Sequence, residues 1–287
     1  MLLYKSDNFA ELYLNSLTEL YARPNYITNP RGFEIKENIN VCLTLENPLS
    51  CLFKSPARSS QKKYISAELL WYFFGANDIT FIKNYSTFWD QIAVNGEANS
   101  AYGHLIFNQL NQKGYSQYYW ALSSLLHDKD SRQAILHFNT PQHQYGGNKD
   151  FPCTLYGIFH IRENKLHFTV HMRSNDVVWG LANDIVFFVT LQCQMLNHLR
   201  VKYPNLELGQ YVHVADSFHL YERHYELVER LIKSEVTPVN LPQLGLNLVN
   251  EIGTPTKEFV GLYNNFKNDS YSSEDPLFSW IKTNLTK

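Results

Sequence analysis

Hydrophobic residues recur at helical spacing in several stretches of the chain. The segment "SDNFAELYLNSLTELYAR" carries apolar residues three and four positions apart, which predicts an amphipathic helix capped by Ser6 or Asp7. The segment "AELLWYFFG" is apolar on almost every side except at Glu68, so it predicts a buried helix that is capped by Ser66 and ends at Gly75. Further helices are predicted at residues 116–128, 180–199 and 222–234.

Strand patterns are most frequent in the second half of the chain. The segments "RQAILHFN", "CTLYGIFHIR", "KLHFTVHMR" and "LELGQYVHVADSFHLY" are rich in β-branched and aromatic residues, and a further strand is predicted near "INVCLTLE". The dipeptide Glu163-Asn164 predicts a hairpin turn. This order of helices and strands indicates an α+β fold. Because no linker or repeat precedes residue 236, we expect one domain over residues 1–287, in which residues 236–287 give no clear pattern.

Composition and charge narrow the classes of ligand. The chain has 287 residues, 44% of them hydrophobic, which is enough for a sizeable core. The net charge of −2 gives no basic field for nucleic acid, so a small ligand is expected. The most apolar segment is short and is interrupted by Asn183 and Asp184, which argues against a membrane span. Four scattered cysteines and a polar first segment predict a reducing, cytoplasmic setting.

Cys153 lies next to Pro152 at the start of a strand pattern, where a cysteine is more often a small buried residue than a nucleophile. An attacking thiolate needs a lowered pKa and an exposed position. Arg132 and Arg173 lie on segments that could form neighbouring strands, and their charges would lower that pKa. The tetrapeptide "RSND" that begins at Arg173 fits an anion, and it equally fits a polar turn that caps the next helix.

Two acids lie in apolar surroundings. Asp184 falls within "WGLANDIVFFVTLQ" and Glu68 within "AELLWYFFG", where an ionised carboxylate needs a hydrogen-bonding partner. Each acid could pair locally, or each could take part in catalysis. The three histidines of "HVADSFHLYERH" match no standard zinc spacing, so no metal site is expected.

Seven short segments together resemble the thymidylate synthase family, which includes deoxycytidylate hydroxymethylases. They are "AELLWYFFG", "FWD", "AYG", "DSRQAIL", "PC", "RSNDVVWGLANDI" and "HLYERH". The resemblance implies an α+β fold with a large twisted mixed sheet flanked by helices. It also implies a homodimer in which the sheets pack back to back, and a site for a pyrimidine nucleoside monophosphate and 5,10-methylenetetrahydrofolate. Neither a nucleic acid nor a membrane is an implied partner.

The resemblance also implies roles for individual residues in catalysis and phosphate binding. Cys153 matches the nucleophile that adds to C6 of the pyrimidine, and Glu68 matches the glutamate that organises water and relays protons. Arg173 and Ser174 match ligands of the phosphate. Arg31, in "NPRG", matches a further phosphate arginine.

Other matched residues concern the partner subunit, the sugar and the folate. Arg132 matches an arginine that reaches the phosphate from the partner subunit. His219 and Tyr221 match residues that hold the 3′-hydroxyl of the sugar. The resemblance implies folate contacts for Asp176 and Trp89.

Several positions depart from the family pattern. Gln133 stands where a second arginine is common, and Thr154 stands where a histidine commonly follows the nucleophile. The closing segment of the synthases is not recognisable in "FSWIKTNLTK", and Tyr102 of "AYG" receives no role.

The departure with the clearest chemical meaning is Asp184, which aligns with the asparagine that reads uracil in the synthases. A carboxamide offers one donor and one acceptor, and these match N3–H and O4 of uracil. Cytosine presents an N4 amino donor, and its N3 becomes a donor once a thiolate has added at C6. A carboxylate accepts from both groups, as carboxylates accept from cytosine N4 in nucleic-acid recognition.

We therefore expect a 5-hydroxymethyltransferase that acts on a cytosine nucleotide, with deoxycytidylate as the first choice. The alternatives are a thymidylate synthase, a deoxyuridylate hydroxymethylase, and an enzyme acting on the ribonucleotide cytidylate. A binding protein that keeps the fold without turnover is disfavoured, because Cys153, Glu68, Arg173 and Asp184 are present together.

Overall fold

The computed structural model describes residues 1–287. The helices are α1 (Phe9–Ala22), α2 (Lys62–Phe74), α3 (Phe88–Ile92), α4 (Gln117–His127), α5 (Leu181–Leu199), α6 (Tyr225–Ile232), α7 (Lys257–Asn265) and α8 (Pro276–Thr286). The strands are β1 (Leu2–Ser6), β2 (Tyr26–Thr28), β3 (Ile35–Leu45), β4 (Leu52–Lys54), β5 (Ile135–His137), β6 (Thr154–Arg162), β7 (Lys165–Met172), β8 (Asn175–Asp176), β9 (Glu207–Tyr221) and β10 (Thr237–Val239).

One large mixed sheet organises these elements. Its main strand order is β1-β3-β9-β7-β6-β5, with β2 paired to β3 and β8 paired to β9. Strand β9 runs antiparallel to β3 and parallel to β7 and β8. Strands β4 and β10 form a separate two-stranded sheet. The expected α+β fold with a large mixed sheet flanked by helices is confirmed.

Helix α5 is the buried helix of the molecule. Nearly all of its residues are buried, and its aromatic residues Phe187 and Phe188 meet rings from the sheet and from α2. Gln192 Nε2 donates to the backbone oxygen of Leu166 on β7 at 2.8 Å, so a polar residue of this helix bonds directly to the sheet. The predicted helix at residues 180–199 is confirmed. A helix that is apolar on nearly all sides is typical of a buried position in the core.

The cap of helix α1 differs from the predicted one. Helix α1 is capped by Asn8, whose Oδ1 accepts from the Glu11 backbone N–H at 2.9 Å, so the predicted caps Ser6 and Asp7 are wrong. Ser6 Oγ donates to the Glu11 carboxylate instead.

Helix α2 begins one turn earlier than predicted, at Lys62, so Ser66 is a buried residue inside the helix and not its cap. The end at Gly75 is confirmed, since Gly75 has a φ of 76°, a conformation that glycine adopts without steric cost. The helix at residues 117–127 is also confirmed, with Ser116 as its cap.

The predicted strands are present, and so is their turn. Glu163 and Asn164 both have positive φ angles, 48° and 58°, as a two-residue hairpin turn between β6 and β7 requires. The predicted helix at residues 222–234 is shorter: α6 covers Tyr225–Ile232 and follows a 3-10 turn at Glu222–His224.

Residues 236–287 pack onto the core. Helix α8 packs against α2, and Tyr263 of α7 stacks on Phe74 of α2 with ring centroids 4.1 Å apart. Asp275 caps α8 by accepting from the Phe278 backbone N–H. This segment therefore supports the helix that carries Glu68. None of the helices combines the length and the apolar character needed to cross a membrane.

Candidate active site

A cavity of about 780 Å³ opens at the end of the sheet where β7, β8 and β9 approach the first turn of α5. Its walls also include α2, α3 and residues 148–153. Every residue that the sequence assigned to the site, except Arg132, lines this cavity. These residues are Arg31, Glu68, Trp89, Cys153, Arg173, Ser174, Asp176, Asp184, His219 and Tyr221.

Cys153 is held next to Arg173 at the start of β6. The Arg173 backbone N–H donates to the Cys153 carbonyl at 2.9 Å, and the guanidinium donates to the carbonyls of Phe151 and Pro152. Nη2 of Arg173 lies 3.6 Å from the Cys153 sulfur. One positive charge therefore contacts the thiol directly.

The pKa of Cys153 differs from the sequence expectation. Burial raises the pKa of this thiol above its ordinary value, Arg173 opposes the rise, and the carboxylates of Asp184 and Asp150 add to it. The expected lowering is wrong for the unliganded chain, because loss of hydration outweighs the opposing charges of Arg173 and Arg31. The predominant form of Cys153 at neutral pH is therefore the thiol.

Asp184 lies in the first turn of α5 and faces the cavity. Its Oδ2 accepts from Asn175 Nδ2 at 2.9 Å. Burial raises the pKa of Asp184 to about 7, against the lowering effect of the Asn175 hydrogen bond. The side-chain oxygens of Asn175 and Asn183 are buried without a hydrogen-bond partner. Oδ1 of Asp184 makes no hydrogen bond within the chain, so local pairing is only partial and this oxygen remains available to a ligand.

Glu68 approaches the same cavity from α2. Its Oε1 accepts from the hydroxyl of Tyr64 at 2.7 Å, and that hydroxyl oxygen accepts from Trp89 Nε1 at 3.2 Å. Burial, followed by the charge of Asp184, raises the pKa of Glu68 to about 8. Because the charge of Asp184 raises the pKa of Glu68, the two acids titrate as a coupled pair, and ionisation of one disfavours ionisation of the other.

The contacts of Asp176 fit the polar-turn reading of the tetrapeptide "RSND". Its Oδ1 accepts from the backbone N–H groups of Val178 and Trp179, at 2.7 and 3.3 Å, so it caps a polar turn ahead of α5. Oδ2 makes no hydrogen bond within the chain, and the residue lines the cavity.

His219 and Tyr221 project from the end of β9, with ring centroids 5.2 Å apart. Burial lowers the pKa of His219, which keeps its imidazole neutral, while the charge of Asp176 opposes that effect. The Ser217 hydroxyl donates to the Glu37 carboxylate and lies 3.4 Å from His219 Nδ1.

Positive charge collects around the cavity without acidic partners. None of the four lining cations forms a salt bridge within the chain; they are Arg31, Lys149, Arg173 and Arg223. Arg31 lies in a 3-10 turn with a φ of 56°. Unpaired cations at a cavity fit an anionic group such as a phosphate.

Arg132 lies outside the cavity of its own chain. It is exposed in the segment before β5. Strand β5 does pair with β6, but the antiparallel register sets Ile135 opposite Ile158, which directs Arg132 toward the end of β6 that is remote from Cys153. The structure therefore does not bring Arg132 to the other site residues.

Sequence reasoning missed several cavity residues. Tyr64 precedes Glu68 by four positions, and that helical spacing could have identified it. Asp150 is buried and accepts from the Ser100 backbone N–H at 2.8 Å, a contact that joins distant segments and has no signal in the sequence. Nowhere in the chain do three or more His, Cys, Asp or Glu side chains form a group that could hold a metal ion.

Comparisons with known proteins identify the family and several relatives of this chain. The family model for thymidylate synthase matches residues 48–279, more than half of the chain. A deoxycytidylate 5-hydroxymethyltransferase of Enterobacteria phage T6 is 33% identical over 188 residues, 62% of this chain and 74% of that protein. The phage T4 protein of the same name is 32% identical over 189 residues, with the same coverage. A deoxyuridylate hydroxymethyltransferase of Bacillus phage SP01 is 28% identical over 241 residues, 78% of this chain and 60% of that protein.

Proposed function

The chain belongs to the thymidylate synthase family, and from this premise we propose that it is a deoxycytidylate 5-hydroxymethyltransferase. The observation that carries the proposal is a carboxylate, Asp184, in the same cavity as Cys153 and Glu68. The one-carbon donor is 5,10-methylenetetrahydrofolate, as the family implies. The product is 5-hydroxymethyldeoxycytidylate.

Asp184 selects the base. Its carboxylate is ionised above about pH 7 and accepts from the N4 amino group and from N3–H of the base after thiolate addition. Asn175 donates to Oδ2 and thereby fixes the orientation of the carboxylate. With uracil, the same carboxylate would meet the lone pairs of O4, and a mispaired buried group discriminates strongly against such a substrate.

Cys153 starts the reaction by forming a bond from sulfur to C6. The π electrons of the C5–C6 double bond shift toward C4, and those of the C4–N3 bond shift to N3, which takes up a proton. C5 thereby becomes nucleophilic. The folate, when bound, supplies the one-carbon unit to C5. Loss of the C5 proton breaks the bond from the new carbon to the folate nitrogen, which releases tetrahydrofolate. Water then adds to the methylene carbon left on C5, and the thiolate departs. Overall, deoxycytidylate, methylenetetrahydrofolate and water give 5-hydroxymethyldeoxycytidylate and tetrahydrofolate.

Glu68 acts on the proton and water steps. The pKa of about 8 keeps it protonated near neutral pH, so it can donate a proton, and its deprotonated form can orient the water. Glu68 and Cys153 line the same cavity, as both roles require.

The remaining cavity residues bind the ends of the two substrates. Arg173, Ser174 and Arg31 hold the phosphate, which suits the unpaired cations there. His219 and Tyr221 hold the 3′-hydroxyl of the sugar.

The folate side consists of Trp89 and Asp176. Trp89 lies with Phe88 and Tyr64 in an aromatic wall that suits the flat pterin ring, and Asp176 has one free carboxylate oxygen for its N–H groups.

We also propose a single catalytic domain that acts as a homodimer. One hydrophobic core contains residues from α1 through α8, which supports one domain over residues 1–287. Alternate residues of β7, such as Thr169 and His171, are only half-buried, which leaves this face of the sheet available to a second copy. Arg132 then serves the partner's phosphate site. Mixing inactive Arg132→Ala and Cys153→Ser variants should restore activity through heterodimers with one intact site; no recovery after subunit exchange would contradict the arrangement.

Deoxyuridylate hydroxymethylation is the second candidate, because the SP01 protein matches a longer part of this chain than the T-even proteins do. Incubation with methylenetetrahydrofolate and each of deoxycytidylate, deoxyuridylate, cytidylate and uridylate, followed by mass analysis, separates the possibilities. A hydroxymethyl product from deoxycytidylate is the expected result. A methyl product would indicate a synthase, and preference for another nucleotide would replace the proposed substrate.

A further inference from the structure

A tyrosine on α2 joins the acid Glu68 to the aromatic wall of the cavity. Tyr64 lies one helical turn before Glu68, and its hydroxyl is 2.7 Å from Glu68 Oε1. Trp89 Nε1 lies 3.2 Å from the same hydroxyl oxygen. All three side chains line the cavity. They form a continuous chain of hydrogen bonds from α3 to the acid.

The direction of each hydrogen bond follows from the chemistry of the donors. An indole N–H can only donate, so Tyr64 accepts from Trp89. The phenol has one proton, and it is therefore directed at Glu68 Oε1. Burial and the nearby acid raise the pKa of Tyr64 well above its ordinary value, so the hydroxyl remains a donor at neutral pH.

Glu68 has no other hydrogen-bond partner in the chain than Tyr64. The bond occupies Oε1 and leaves Oε2 for a reacting proton or water. Hydrogen bonding to a carboxylate favours its charged form, so Tyr64 lowers the pKa of Glu68 while burial and Asp184 raise it.

We propose that Tyr64 is a positioning residue for Glu68: it sets which carboxylate oxygen faces the cavity and keeps the acid able to ionise near neutral pH. Trp89 contributes by fixing the direction of the phenol proton. In its kinetic consequences this inference rests on the proposed function, whereas its electrostatic part concerns the free protein.

The test replaces Tyr64 by phenylalanine, with Tyr13→Phe as the matched control. Tyr13 is fully buried, its hydroxyl has no hydrogen-bond partner, and it does not line the cavity. The Glu68 ionisation is followed by infrared difference titration of the free protein, assigned by its disappearance in Glu68→Gln. Tyr64→Phe should move the midpoint upward by roughly one pH unit, the size expected for a lost hydrogen bond to a charged group. Tyr13→Phe should leave the midpoint unchanged.

Kinetics give the second readout. Tyr64→Phe should lower kcat for deoxycytidylate roughly tenfold with little change in KM, and the pH at which Glu68 ionisation affects kcat/KM should rise with the infrared midpoint. An unchanged midpoint in folded Tyr64→Phe would overturn the proposal. If the wild-type protein gives no hydroxymethylated product, the proposed function fails, yet the infrared titration still decides the link between Tyr64 and Glu68.

Discussion

The first turn of α5 around Asp184 and a cluster around Gln194 and His198 nearer its end bury polar residues in opposite ways. In the first turn, Asp184 has one hydrogen bond, and neighbouring amide oxygens of Asn175 and Asn183 have none. Nearer the end of the helix, the Gln194 side-chain oxygen accepts from the Leu248 backbone N–H at 2.7 Å, and its amide nitrogen lies within hydrogen-bond distance of Asn247, Val249 and His198. His198 also lies 2.9 Å from the Tyr118 hydroxyl. The polar atoms of Gln194 and His198 therefore all have partners.

This difference distinguishes polar residues of α5 that stabilise the fold from polar residues that can bind a ligand. A buried polar network with complete partners stabilises the fold and leaves nothing for a ligand. Buried polar groups with missing partners cost stability unless a ligand completes them. Burial alone does not identify a site, whereas incomplete hydrogen bonding beside a cavity does.

The largest expected effect contrasts two cysteines. Cys153→Ser should reduce turnover on the order of 1000-fold or more while nucleotide still binds, because a serine hydroxyl is a far weaker nucleophile at neutral pH. Cys193→Ala, on the buried part of α5, should retain kcat. Steady-state kinetics and nucleotide titration test both, and substantial turnover by Cys153→Ser would count against the covalent mechanism.

The next effect concerns the complete network. Gln194→Leu removes the partner of the Leu248 N–H and should lower the free energy of unfolding by about 2–4 kcal/mol. The kcat/KM of the folded protein should stay close to the wild-type value. Thr190→Val is the control, since the Thr190 hydroxyl bonds only within its own helix, and it should cost less than about 1 kcal/mol. Denaturant unfolding measures the stability of both variants. A fall in the kcat/KM of Gln194→Leu as large in free energy as its loss of stability would contradict the contrast between the Asp184 turn and the Gln194 cluster.

The smallest effect is a pH dependence of stability that arises from the two acids of the cavity, Glu68 on α2 and Asp184 on α5. The pKa values of Glu68 and Asp184 are raised in the folded state, to about 8 and about 7, so the folded protein binds more protons than the unfolded chain between about pH 4 and pH 8. Stability should therefore fall as pH rises through that window.

Glu68→Gln removes part of this dependence. The free energy of unfolding of the variant minus that of wild type should be larger at pH 8 than at pH 5, by on the order of 2 kcal/mol. Thermal unfolding at the two pH values provides the measurement. An equal difference from wild type at both values would mean that Glu68 keeps an ordinary pKa in the folded protein.

The sequence predicted those parts of the fold that depend on local pattern. The α5 helix and the Glu163-Asn164 turn followed from periodicity and turn chemistry. The caps of α1 and α2 did not, because several polar residues compete at each helix start and tertiary packing selects among them. Residues 236–287 gave no clear pattern because α7 and α8 are short, 9 and 11 residues, and short helices depend on packing against the rest of the chain.

The sequence predicted several residues that line the site, but it did not predict their pKa values. The presence of Glu68 and Asp184 in apolar segments indicated a buried pair of acids. The raised pKa of Cys153 could not be read from the sequence, because it depends on how far burial exceeds the effect of Arg173. Asp150 entered the site through a contact that only the folded chain creates, whereas the i, i+4 spacing of Tyr64 and Glu68 was present in the sequence.

The most direct test of the central claim, that Asp184 in the first turn of α5 reads the base, is kcat/KM for deoxycytidylate and deoxyuridylate in wild type and Asp184→Asn. The substitution keeps the volume and replaces a double acceptor by one donor and one acceptor. We predict a loss of roughly 30- to 1000-fold with deoxycytidylate, a gain with deoxyuridylate and hydroxymethylated product from both. A wild-type preference for deoxyuridylate, or an equal loss with both nucleotides in Asp184→Asn, would contradict the account.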